Sequence, residues 1–120
     1  MFQGNTGEAA RLVNIVRKRA AYREELTTSE LQTREAAMEV SGGDMNIDFI
    51  LDERAREMCG ESWRWLDLVR TGKLLERVKL HNPRGAANIK DFHLLRPLPQ
   101  EQIDLLTDPA QKQTYQNDGY

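Results

Sequence analysis

A single cysteine, Cys59, stands in the 120 residues, which excludes an intrachain disulfide framework and any multi-cysteine zinc or iron–sulfur site. The thiols therefore say nothing about redox compartment. Two histidines, His81 and His93, lie twelve residues apart with no cysteine partners, too little for a metal site. Basic excess is missing as well: 17 Lys and Arg face 19 Asp and Glu, a formal charge of -2, and nucleic-acid binding usually leaves a strongly positive face. No apolar run approaches the ~18 residues that a bilayer-spanning helix needs. The first seven residues, MFQGNTG, have neither a basic segment followed by an apolar run nor a cleavage site, so the expectation is a soluble polypeptide that carries no address. Phosphate loops of the GxxxxGK[ST] type and GxSxG elbows are lacking too.

What is present is helical patterning. The AVILMFWYC fraction is 39%, and with eight glycines the apolar share sits near the lower edge of the roughly 45–50% typical of globular chains. One modest core, hence one domain spanning 1–120, is expected. Residues 8–25 read as a first helix, because Leu12, Ile15, Val16 and Ala20 form one apolar stripe. Asn5, Thr6 or Gly7 opens it, with Glu8 near its positive end, and Arg17, Lys18, Arg19 and Arg23 gather toward its negative end. Those cations serve either solvation and the helix dipole or pairing with acids on another helix.

Thr27 with Glu30, or Ser29 with Gln32, offers a capping box for a shorter helix over 30–40. Its apolar positions, Leu31, Ala37, Met38 and Val40, are ragged, which predicts a peripheral element stopped by Ser41-Gly42-Gly43. Asn46 or Asp48 then caps a long helix over 49–71, in which Leu51, Ala55, Met58, Ser62, Trp65, Leu66 and Val69 recur at intervals of three and four. Gly72 ends it. Gly60 inside that helix costs about 1 kcal/mol against alanine, which close approach of a neighbouring helix would offset. Beyond Leu75 the periodicity fades. Residues 76–120 are expected to be a largely irregular tail that wraps over a larger body, with Phe92 to Leu95 extended, Pro97-Leu98-Pro99 non-helical and Gln100 to Leu106 in one or two helical turns. The aromatic, turn-forming end, Tyr115 to Tyr120, is expected to be anchored.

Glu53, Glu57 and Glu61 stand four residues apart, and like charges at that spacing repel by a few tenths of a kcal/mol unless offset. A catalytic acid/base pair needs two carboxylates across a cleft with separated pKa values. A di-metal bundle needs Glu-x-x-His pairs, which His81 and His93 do not supply. A structural ion-pair ladder needs only arginines, and Asp52–Arg56, Glu61–Arg64 and Asp67–Arg70 are in range, with Arg17 or Arg19 able to dock from the first helix. The ladder is favoured. Trp63 and Trp65 point about 200° apart on a helix; Trp65 shares the apolar stripe, whereas Trp63 needs a second surface or a ligand. Cys59 reads as a small buried hydrophobe. No nucleophile, base and orienter assemble, so no catalytic residue, cofactor or metal is expected.

These residues carry a resemblance. Glu53-Arg54-Ala55-Arg56-Glu57-Met58 through Glu61, followed by Arg64-Trp65-Leu66-Asp67-Leu68-Val69-Arg70-Thr71-Gly72-Lys73, is similar to the ERRxEL…EGxRWxDLxRTGK signature of the SusD/RagB family. Pro97-Leu98-Pro99-Gln100-Glu101-Gln102-Ile103 resembles its PIPxxEI segment, Gln116-Asn117-Asp118-Gly119-Tyr120 its terminal QNPGY, and Val13-Asn14-Ile15-Val16-Arg17-Lys18-Arg19-Ala20 its vNxvRxRA helix. Ser62 stands where the family has glycine, a change expected to matter little; Gly60 replaces a bulky apolar residue and Asp118 a proline. The resemblance implies an all-α, TPR-like SusD-like fold of which 1–120 is the C-terminal portion. It further implies a non-catalytic, glycan-binding lipoprotein on the outer-membrane surface of Bacteroidetes, working with a TonB-dependent, SusC-like transporter and meeting its oligosaccharide mainly through other segments. No glycan-binding residue carries over. Two other classes remain: a glycoside hydrolase using two of Glu53, Glu57, Glu61 and Asp67, and a standalone helical interaction module. Because Trp63 and the irregular tail want a partner surface, the isolated segment should be marginal, aggregation-prone or oligomeric.

Overall fold

A computed structural model of the chain describes residues 4–120; the first three residues of the MFQGNTG start lie outside the described residues. The chain is 64% helical with no strand among the described residues, so the all-α reading stands. None of the described helices is long and apolar enough to cross a membrane. The residues divide into two compact units, one ending at Ser62 and one comprising Trp63–Tyr120.

In the first unit, α1 spans Thr6–Ala21, α2 Thr28–Met38 and α3 Ile47–Glu57, with a 3-10 turn at Gly42–Asp44 before α3. The Asn5 side chain accepts from Glu8 N at 3.0 Å to open α1. The expected run to residue 25 stops at Ala21 because Tyr22 is extended, and Arg23 donates to the exposed carbonyls of Ala20 and Tyr22. Thr27 and Glu30 close a reciprocal capping box, which starts α2 two residues earlier than the expected 30–40. The core here is small: Ala10, Ala21, Met45 and Leu51 are buried. The expected stripe of α1 is not its buried face, since Leu12 and Ile15 remain 51% and 56% exposed.

The continuous helix over 49–71 is not formed. α3 ends at Glu57, and α4, Arg64–Arg70, begins only after a turn in which Gly60 has φ 86° and Ser62 φ 63°. Left-handed backbone at these two positions, near the middle of the expected helix, interrupts the hydrogen-bond ladder. Gly60 therefore serves the turn, not a close helix approach: a Cβ there would meet nothing within 4 Å. Cys59, in the same turn, is exposed instead of buried.

In the second unit, α4 is followed by α5 (Leu74–His81), α6 (Pro83–Ala86), α7 (Gln100–Asp104) and α8 (Pro109–Thr114), with a 3-10 turn at Asp91–Leu94. The stop at Gly72 is as expected. Gly72 has φ 69° and its N–H reaches Val69 O at 3.0 Å, while Lys73 N reaches Leu68 O at 2.8 Å, the paired bonds of a Schellman ending. The expected irregular tail over 76–120 is instead a chain of short, locally capped helices. Asn82 accepts from Gly85 N ahead of α6, and Asp108 from Ala110 N ahead of α8, each with proline at the first turn. Elements of four to eight residues complete too few turns to leave a periodic signal. Of the expected extended run Phe92 to Leu95, the first three residues lie in the 3-10 turn and only Leu95 is extended. Leu68, Leu74 and Ile103 form the core, and Asp67 and Arg77 are buried with them.

Candidate functional site

Within the first unit, the polar face of α1 does most of the joining. Asn14 donates to Val40 O at 2.9 Å and accepts from Val40 N at 3.0 Å. One amide thus satisfies both backbone groups of a residue past the end of α2, where no helical partner remains. A turn later, Arg17 donates through Nε to Met38 O at 2.6 Å, which caps α2, and through Nη1 to Glu53 of α3 at 2.9 Å. Its guanidinium also lies 5.9 Å from the Phe49 ring centroid. Arg19 pairs with Glu57 in the same manner. Three polar letters of the α1 segment, Asn14, Arg17 and Arg19, therefore each tie α1 to a different place.

The carboxylates are engaged. Glu53 is bonded by Arg17 and, at 2.6 Å, by Arg56. Burial pushes its carboxyl up, but the two guanidiniums outweigh that and hold it below the ordinary glutamate value. Both Glu53 and Glu57 border open grooves: one of about 250 Å³ floored by Leu12, Val13, Val16, Ile50 and Met58, the other of about 560 Å³ beside Phe49 and Met38. Glu53, neutralised by two arginines and held in its charged form, lacks the raised pKa of a general acid. Glu61 falls outside α3, exposed in the turn, so the expected row of three on one helix edge is a pair. Asp67 is in the second unit, buried, and accepts from Arg70 Nε and Nη2 at 3.0 and 2.9 Å, as its spacing predicted.

In the second unit, Trp63 precedes α4 with half its surface exposed, while Trp65 is partly buried. The Trp65 indole N–H reaches His93 O at 3.3 Å and the Arg96 guanidinium sits 4.5 Å over its ring. His93 stacks on Phe92, and Tyr120 meets Phe92 edge-on at 5.0 Å. His81 ends α5. Among the described residues no group of three His, Cys, Asp or Glu is placed to hold a metal ion.

Sequence reasoning located the anchored end but not its mechanism. The Gln116 amide accepts from Leu98 N at 2.8 Å and donates to Leu98 O at 3.0 Å. Leu98 has the only N–H of Pro97-Leu98-Pro99, since proline has none. Asn117 donates to Arg96 O at 2.6 Å and the Tyr120 hydroxyl to Leu95 O at 2.8 Å. Gly119, φ 97°, lies so near Phe92 that a Cβ would stand 2.4 Å from its ring carbon Cγ. Two of the resembling blocks, PLPxxxI and QNDGY, are thus the two halves of one clasp.

Comparison with known proteins bears on the family. The SusD family model matches residues 2–120. The chain is also similar to SusD-like protein P38 of Formosa agariphila, with 38% identity over 73 residues, which is 61% of this chain and 14% of that protein. The chain thus spans a small fraction of the length of this curated relative. No solved structure matches it. With a family match running through both units and every resembling block accounted for by a packing or docking role, the chain belongs to the SusD family.

Proposed function

We propose that residues 1–120 are the C-terminal portion of a longer, non-catalytic nutrient-binding protein that captures oligosaccharide at the outer-membrane surface and hands it to a SusC-like, TonB-dependent transporter. The family match over 2–120 carries this reading. The geometry favours a scaffolding share of the work for this portion. Its motif residues Asn14, Arg17, Arg19, Asp67, Gln116 and Tyr120 are spent on internal bonds, and the ligand is then met mainly by other segments. Exposed Leu12, Ile15, Leu66, Leu80 and Leu105 support the view that the segment alone is marginal or self-associating.

The experiment is glycan binding and transporter co-purification with the complete protein. Both are expected; absence of both, with hydrolysis of the glycan instead, overturns the reading. Replacing Glu53 or Glu57 by glutamine separates the hydrolase alternative, which requires loss of turnover, from the scaffolding role, which requires loss of stability with binding per folded molecule unchanged. The standalone module requires a sharp two-state transition of the monomeric 120-residue chain.

A further inference from the structure

The clasp at the chain's end contains a chemical liability. Asp118-Gly119 is the only Asp-Gly in the sequence, and there is no Asn-Gly. Succinimide formation is fastest at these dipeptides, because glycine has no side chain to keep its backbone nitrogen away from the preceding carboxyl. Both residues are exposed, and they lie in the turn closed by Tyr120 N bonding Asn117 O at 3.3 Å. Where this chain has Asp118, the resembling family segment has proline, which offers no carboxyl for the reaction.

We infer that Asp118 is a site of spontaneous isoaspartyl formation and that its conversion opens the C-terminal clasp. The Gly119 nitrogen attacks Asp118 Cγ; an N–C bond forms, the nitrogen loses its proton, and the carboxyl hydroxyl leaves as water. Water then re-enters the cyclic imide. Hydrolysis at the carbonyl that belonged to the main chain breaks its bond to the nitrogen and leaves the chain running through the former side chain, one methylene longer, with a free α-carboxylate.

The contacts of the clasp depend on the length of the chain between Asn117 and Gly119. Gly119 is pressed against Phe92 at a φ that L-residues rarely adopt, and the Tyr120 hydroxyl must reach Leu95 O across the same turn. Lengthening the backbone between Asn117 and Gly119 shifts both contacts out of register, because each is set by the length of this one turn. The strain passes along both segments through the next bond, Asn117 to Arg96 O, to the adjoining Gln116 bonds to Leu98.

The test ages the full chain at neutral pH and physiological temperature, then labels isoaspartyl groups by enzymatic methylation and maps the label to peptides. The amide exchange of Leu98 N–H is followed in fresh and aged samples. Label is expected in the peptide carrying residue 118, with Leu98 N–H exchanging at least several-fold faster in the labelled fraction. Asp118→Glu, whose ring would have one more atom and closes far more slowly, should age without label and keep Leu98 protected. Label located elsewhere or absent overturns the site, as does label that persists in Asp118→Glu. Isoaspartyl-bearing chains whose Leu98 N–H exchanges as slowly as in fresh protein overturn the opening.

Discussion

The two units solve one problem with one device and then diverge. In each, a carboxamide side chain serves both backbone groups of a residue outside any helix: Asn14 for Val40 in the first, Gln116 for Leu98 in the second. Around that device the first unit uses charge, with Arg17 and Arg19 of α1 reaching Glu53 and Glu57 of α3. The second uses shape, with Gly119, Tyr120, His93 and Phe92 fitted together. Charge contacts at partly exposed positions tolerate a displaced atom but depend on ionisation and salt. Close ring packing depends little on salt and fails when an atom is added. The units should therefore fail under different insults.

The strongest way to break the comparison is Gly119→Ala. The added methyl combines a left-handed φ with a clash against Phe92, and the two costs together are about 2–4 kcal/mol. Amide exchange should accelerate at Leu98 while the Val40 N–H stays protected; acceleration at both would show that the units do not fail separately. Next comes Arg17→Ala. It removes the bonds to Met38 O and Glu53 together and uncovers Phe49, at about 2–3 kcal/mol, less than a fully buried pair because both partners keep some solvent. Val40 should lose protection and Leu98 keep it.

The sequence made the first unit's contacts more legible than the second's. Arginines on one helix and glutamates at regular spacing on another announce a ladder, and both Arg17 and Arg19 do dock from α1, onto Glu53 and Glu57, partners that spacing alone did not choose. In the second unit only Asp67–Arg70 was as plain. Gly72 and the Thr27–Glu30 box were equally plain, because caps are local chemistry. Three things were hidden. The break between α3 and α4 was masked by an apolar period that runs straight through it, and only Gly60 and the family's glycine at the Ser62 position hinted at left-handed backbone. The helices of the second unit are too short to repeat. The clasp joins residues 18 to 25 apart through single side-chain to backbone bonds, which leave no pattern in composition.

Acid should separate the units as well, with smaller effect. Glu53 is held below its ordinary value by Arg56 and Arg17 against the opposing pull of burial. Its ion pairs therefore contribute stability that is complete above the unfolded glutamate pKa of about 4.3 and is lost as pH falls through the lower folded value. The part of the loss at Val40 that comes from Glu53 should not exceed the effect of Glu53→Gln at neutral pH, about 1–2 kcal/mol for a charge-assisted bond weakened but not deleted. Glu8, Glu30 and Asp44 of the same unit, held below their ordinary values by side-chain hydrogen bonds to Arg11, Thr27 and Ser41, add their own acid dependence. In Glu53→Gln the acid-dependent part should shrink; an unchanged acid profile would move the effect to another carboxylate.

The smallest effect sharpens the comparison instead of breaking it, because it acts on the turn that neither device supports. Ser62 has φ 63°, a conformation that costs an L-residue roughly 1–2 kcal/mol and glycine little. Part of that gain is returned because glycine also has more freedom to lose from the unfolded chain. Ser62→Gly should therefore stabilise by about 0.5–1 kcal/mol. Ser62→Ala should not, since its methyl keeps the Cβ that makes the left-handed region costly. Chemical denaturation of both variants against the parent chain measures the difference. If alanine stabilised as much as glycine, the gain would come from helix propensity over 58–63, and the turn between α3 and α4 would not be the backbone's preferred state.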